Sequence, residues 1–230
     1  MWVLVRIKRR IMKRRTIMSK RNMILRTRFI DRACHWTVVI SFFLVALSGL
    51  GLFFPTLHWL TATFGTPQMG RILHPFFGVL IFVLLMVMFL RFVRHNIPDR
   101  QDVPWIKGIV EVLKGNEHKV ADVGKYNAGQ KMMFWAIMCL IVVLVVTGII
   151  IWRPYLAAYF PITVIRWSLL IHAVAAIVLI HAILIHVYMA FWVKGSITGM
   201  IEGKVSRRWA RKHHPRWYRE VEAAEKKAVE

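Results

Sequence analysis

Four apolar runs dominate this chain, at about residues 35–54, 73–93, 132–152 and 164–193. Each has the ~20 residues a helix needs to cross the ~30 Å hydrocarbon layer of a bilayer. The pattern predicts an all-α integral membrane protein, a bundle of four transmembrane helices. The fourth run is the longest and is expected to tilt or to extend beyond the lipid.

Charge is segregated from these runs. The chain is 57% hydrophobic, yet it carries 33 Lys and Arg against 11 Asp and Glu. A basic soluble nucleic-acid binder would not spend so much of its length on apolar runs, so no nucleic-acid partner is expected. Lys and Arg number twelve in residues 1–34, one (Arg71) in 55–72, seven in 94–131, one (Arg153) in 153–163 and ten in 194–230. Positive connections stay in the cytoplasm, so both termini and the 94–131 loop are expected inside, next to anionic headgroups. The organisation read from this is a basic N-terminal arm (1–34), a four-helix membrane domain (35–193) and a basic tail (194–230). Trp59, Trp105, Trp135, Trp152, Trp167 and Trp192 lie near the ends of the runs, where interfacial aromatics belong. Residues 105–114 read as a short amphipathic helix, and residues 220–230 as a short helix or disordered tail. Cys34 and Cys139 form no CxxC motif and read as ordinary buried residues. The short apolar start, Met1 to Ile7, does not read as a signal peptide.

Ionisable side chains at membrane depth are costly and are usually functional. Of ten histidines, His58, His95, His118, His213 and His214 fall in connections or the tail and read as solvated. The other five are His35, His74, His172, His181 and His186. His172 and His186 are fourteen residues apart on one helix, about 40° apart around it and roughly 21 Å along it. With the charge-derived topology, His74 and His172 share the periplasmic depth, and His35 and His186 the cytoplasmic depth. Two bis-histidine pairs at two depths suit two stacked haems b, each iron with both axial positions filled. Zinc would want four clustered ligands instead. His181, about 180° around the helix from His172, lies off that face. It is expected to be satisfied by another helix, a subunit or a lipid headgroup. Gly49, Gly51, Gly78, Gly148, Ala173, Ala175 and Ala176 would permit close approach of helices or of a macrocycle.

Several stretches carry a family resemblance: Arg32-Ala33-Cys34-His35-Trp36, Gly70-Arg71-Ile72-Leu73-His74-Pro75, Gly124 to Lys131, Leu170-Ile171-His172-Ala173 and Ile185 to Phe191. Over about residues 19–220 the chain resembles the cytochrome b556 (gamma) subunits of respiratory formate dehydrogenases, of the nitrate-inducible or O type. The resemblance implies haem ligation by His74 with His172 and by His35 with His186. It implies menaquinone, or ubiquinone, reduced beside the cytoplasmic haem, with Asn127, Gly129, Gln130 and His186 in the quinone's vicinity. Asn127 also suits a helix N-cap. The implied partners are the iron–sulfur beta subunit and the catalytic alpha subunit, in a trimer of heterotrimers in the bacterial inner membrane, with cardiolipin a candidate lipid. Formate itself would be oxidised elsewhere, because the chain lacks molybdenum or tungsten ligation. The arm up to about Met18 departs from the family pattern, and reads as a solvated arm or an upstream start. The b-type subunit of a nickel–iron hydrogenase is the alternative reading. A haem-free anchor or transporter is the other, and the lack of a Gly/Pro-broken helix pair argues against transport.

Overall fold

The computed structural model describes residues 22–116, 120, 122–153 and 155–228. The first eighteen residues, and His118, therefore lie outside the described residues. The chain divides into two compact units. One contains Ile30–Pro98 and Gly129–Trp192; the other contains Asp99–Ala128, Val193–Glu230 and the segment ending at Phe29.

The first unit holds four long helices, Phe29–Phe53, Pro67–Phe92, Ala128–Ile151 and Ile162–Trp192. All four are long and apolar enough to cross a membrane. They begin at 29, 67, 128 and 162, ahead of the apolar runs at 35, 73, 132 and 164, because backbone hydrogen bonding does not stop where hydropathy does. Pro67 opens the second helix at its first turn, and Thr66 caps it by accepting from the Met69 amide.

Every long helix contributes to one core. Ile81 and Leu85 from the second meet Met138 and Ile141 from the third and Leu179 from the fourth, with Val38, Phe42 and Val45 of the first packed against them. Only 11–17% of each spanning window is buried by the protein itself. The remaining side chains, such as Leu90 and Phe191, face outward and need an apolar solvent. Asp31, at the start of the first helix, pairs with Arg91 at the end of the second. The Trp135 indole donates to the Asn96 carbonyl at 2.9 Å.

The connection between the first two helices is a 3-10 helix, Pro55–Phe64, packed tightly on its neighbours. A Cβ on Gly51 would come 2.7 Å from the Thr61 nitrogen, and one on Gly70 would come 2.1 Å from the Thr61 oxygen. Gly51 thus serves backbone packing, not a macrocycle, and a Cβ on Gly78 would meet nothing within 4 Å.

The second unit gathers three basic segments that are far apart in sequence. Met23–Leu25 pairs antiparallel with Lys204–Ser206, Ile24 opposite Val205. Ile24, Val205, Ala210 and Trp217 form its core. Helices Arg207–His213 and Pro215–Lys227 follow, so the tail is helical almost to its end. The amphipathic helix expected over 105–114 is instead two short helices, Asp102–Lys107 and Ile109–Leu113, broken at Gly108. A side chain at Gly108 would strike Val120, its Cβ 2.4 Å from Cγ1. Trp105 is buried with Val123 and Ala128, so it is a core residue of this unit and not an interfacial anchor.

Two further expectations are corrected. Cys139 is exposed, unlike Cys34. His214 is not solvated: it is 2% exposed, and its Nδ1 donates to the Gly124 carbonyl at 2.8 Å. Part of the tail's charge is matched within its own unit, where Arg216 pairs with Asp99 at 2.6 Å and Arg219 pairs with Asp122.

Candidate functional site

The four histidines chosen from sequence meet in two pairs, both within the spanning unit. His74 and His172 have ring centroids 6.4 Å apart, and so do His35 and His186. The planes are inclined at 58° and 54°. Along the fourth helix His172 and His186 stand roughly 21 Å apart, so the two pairs are separate.

That separation fits a metal between the rings. A metal–imidazole nitrogen bond is about 2.0 Å and the ring centre lies roughly another 1.2 Å back, which puts two centroids about 6.4 Å apart. The same distance recurs in both pairs, although the partner of the fourth helix is the second helix in one and the first in the other. Direct contact between the imidazoles would be closer, and unrelated side chains would have no reason to share the spacing.

Around His74 and His172 the fit extends further. The Ser48 hydroxyl lies 3.0 Å from His74 Nδ1 and the Thr147 hydroxyl 3.0 Å from His172 Nδ1. Each hydroxyl donates its own proton to a carbonyl one turn back, Ser48 to Val45 at 3.1 Å and Thr147 to Val143 at 2.7 Å. Each imidazole must then donate from Nδ1. That leaves the Nε2 lone pair for a metal. Beside each hydroxyl is a glycine. A Cβ on Gly49 would come 3.1 Å from His74 Cε1, and one on Gly148 would come 3.4 Å from His172 Cε1. Two Ser/Thr-Gly steps, one on the first helix and one on the third, therefore cradle the two rings.

The other pair is built differently. His35 Nδ1 is buried with no hydrogen-bond partner, and the ring stands edge-on to Trp36 at 5.5 Å. His186 is exposed at the protein surface. The fifth histidine, His181, bonds the Ile177 carbonyl of its own helix at 2.8 Å and joins neither pair.

Of the residues named for a quinone, His186 is in the second pair. Asn127 belongs to the second unit. There it lines a recess of about 10 Å³ with Asp99, Trp105, Tyr126 and Arg216, room for one water at most. Gly129 and Gln130 lie in the first turn of the third helix.

Beside that recess is a second polar cluster that sequence reading missed. Arg26 donates to the Lys125 carbonyl and lies 3.3 Å from His214 Nε2. Its guanidinium covers the rings of Trp217 at 4.5 Å, Tyr126 at 5.2 Å and Trp209 at 5.7 Å. Burial pulls the Arg26 guanidinium down to about 10, and burial together with Arg26 holds the His214 imidazole well below its usual range.

Comparison with known proteins accords with this geometry. A family model described as prokaryotic cytochrome b561 matches residues 26–203. The nitrate-inducible formate dehydrogenase cytochrome b556(Fdn) subunit of Escherichia coli K12 is 80% identical over 210 residues, covering 91% of this chain and 97% of that one. The formate dehydrogenase cytochrome b556 subunit of Haemophilus influenzae is 53% identical, covering 88% of this chain and 85% of that one. The cytochrome b556(fdo) subunit of Escherichia coli K12 is 50% identical, covering 92% and 100%.

Proposed function

Since the chain belongs to the prokaryotic cytochrome b561 family, we propose that its two histidine pairs hold two haems b within a formate dehydrogenase. It serves that enzyme as a membrane-anchoring, electron-transferring cytochrome b subunit. The observation that carries the two-haem reading is the repeated 6.4 Å centroid separation, at two depths, from four different positions on three helices. Haem b held by these four imidazoles would supply reversible one-electron storage there.

The chain's own part is placement. His74 of the second helix meets His172 of the fourth, and His35 of the first meets His186 of the fourth. By the Lys and Arg distribution, His74 and His172 lie on the periplasmic side and His35 and His186 on the cytoplasmic side, with both termini inside. Electrons from formate oxidised by the catalytic and iron–sulfur subunits enter on the first side. They leave on the second to menaquinone or ubiquinone, which takes up cytoplasmic protons. Moving each electron inward against an inside-negative potential stores ~2.3 kcal/mol per 100 mV. Asn127, Gly129 and Gln130, at the entry to the third helix, are the chain's candidates for contact with the quinone. The assembly is a trimer of heterotrimers in the inner membrane, with cardiolipin among its lipids.

Identity of 80% to the nitrate-inducible subunit against 50% to the fdo subunit favours the nitrate-inducible type. The same names disfavour a hydrogenase partner. The test is haem stoichiometry. Purified protein should hold about two low-spin haems b per chain by pyridine haemochrome. His172→Ala should remove one and His35→Ala the other. Full haem content in both variants would sink the assignment.

A further inference from the structure

The two histidine pairs differ in what stands behind the rings. His74 and His172 each donate through Nδ1 to a hydroxyl whose proton is committed to a helix carbonyl. His35 has a buried Nδ1 with no partner. An imidazole that gives up part of its N–H proton becomes a stronger donor at its other nitrogen. Chains of such bonds polarise one another in a low-dielectric interior. A stronger axial donor stabilises ferric over ferrous iron, and hydrogen bonding to the ligand is one of the levers a protein has on haem potential.

We infer that Ser48 and Thr147 are positioning residues which lower the potential of the His74/His172 centre below that of the His35/His186 centre, giving electron flow its direction along the bundle. One electron leaves the first centre, oxidising it from ferrous to ferric, and reduces the second from ferric to ferrous. The asymmetry needs no difference in ligand type, since all four ligands are imidazoles. It rests on one hydroxyl from the first helix and one from the third. Both are buried: Ser48 is 0% exposed and Thr147 6%. Each hydroxyl also bonds a carbonyl of its own helix. The inference depends on the two-haem reading above.

The test is potentiometric titration of the whole formate dehydrogenase complex in detergent, followed at the haem α-band and by low-spin haem EPR. The His74/His172 component is identified as the one His172→Ala removes. Thr147→Val keeps the side-chain shape and deletes the hydroxyl; Ser48→Ala does the same for the other ring. Each should raise the reduced-to-oxidised ratio of that component at fixed potential by roughly three- to tenfold, about 30–60 mV at ~59 mV per decade. The other component should stay in place, and Thr147→Ser should restore the wild-type value. Should Thr147→Val or Ser48→Ala lose the haem outright, Thr147→Ser decides: retained haem at the wild-type potential supports the role, and a lost or shifted haem refutes it. Unmoved potentials, or equal shifts in both components, also refute it. Wild-type complex without two haems b would overturn the two-haem reading instead, and is distinguished by the pyridine haemochrome count.

Discussion

Gly49→Ala separates packing from cofactor binding. A methyl at this position would stand 3.1 Å from His74 Cε1. Carbon atoms rest comfortably at about 3.5–4.0 Å, so the ring must retreat by roughly 0.4 Å or more. It is not free to do so, because Ser48 holds Nδ1 at 3.0 Å. Turning an imidazole about 30° off its rotamer costs ~0.5–1.5 kcal/mol. At ~1.4 kcal/mol per decade that is about a two- to tenfold loss of haem affinity. The same substitution adds up to ~1 kcal/mol to the helix, since Gly is the poorer helix former. The bundle should therefore unfold at nearly the wild-type temperature while releasing the haem proposed between His74 and His172 faster. Gly148→Ala is the internal control. Its methyl would sit 3.4 Å from His172 Cε1, ordinary contact, and should leave haem retention close to wild type. The assay is haem transfer to excess apomyoglobin, followed at the Soret band in detergent, beside thermal unfolding of the same samples. Wild-type release from Gly49→Ala, or equal release from the two variants, would show that these glycines do not shape the ring's seat.

Other outcomes follow from the same geometry. Gly70→Ala puts a methyl 2.1 Å from the Thr61 carbonyl oxygen, and backbone cannot yield as a side chain does. It should destabilise by ~1–3 kcal/mol, visible as a lower unfolding temperature or aggregation in gel filtration. Arg26→Lys loses the flat guanidinium stacked on Trp217 and Tyr126 and should cost about 1–2 kcal/mol in the second unit, read by Trp fluorescence during urea titration. His214 has a folded-state pKa below its unfolded value. The unfolded chain then binds the extra proton as pH falls through about 6.5, so stability is full above that pH and declines below it. The slope should flatten in His214→Gln, and a pH profile unchanged by that substitution would refute the assignment.

Some of this molecule was readable residue by residue. Apolar runs of spanning length foretold all four long helices, because hydropathy is a sum over about twenty neighbouring residues and needs no knowledge of contacts. His35, His74, His172 and His186 stood out because an imidazole inside such a run is costly. Their pairing followed from charge counts in the connections. The run at 105–114 misled, since Gly108 is pressed against Val120 and the break depends on that contact. His214 misled too: a histidine in a charged tail looks solvated until Trp217, Arg26 and Gly124 close around it.

Sequence by itself therefore determined four helices long and apolar enough to cross a membrane, and singled out the four histidines that the fold brings into two pairs. Tertiary structure alone decided what stands behind those side chains. Ser48 is 26 residues from His74, Thr147 is 25 from His172, and Arg26 is 188 from His214. Nothing in a local window marks Ser48 or Thr147 apart from any other small hydroxyl in an apolar run. The Ser48-Gly49 and Thr147-Gly148 steps acquire meaning only when the helices bring an imidazole edge within 3.0 Å of each hydroxyl. The physical reason is range. Hydrophobic burial and helix formation are written in neighbouring residues, whereas a hydrogen bond acts over about 3 Å and exists only once two distant helices have packed.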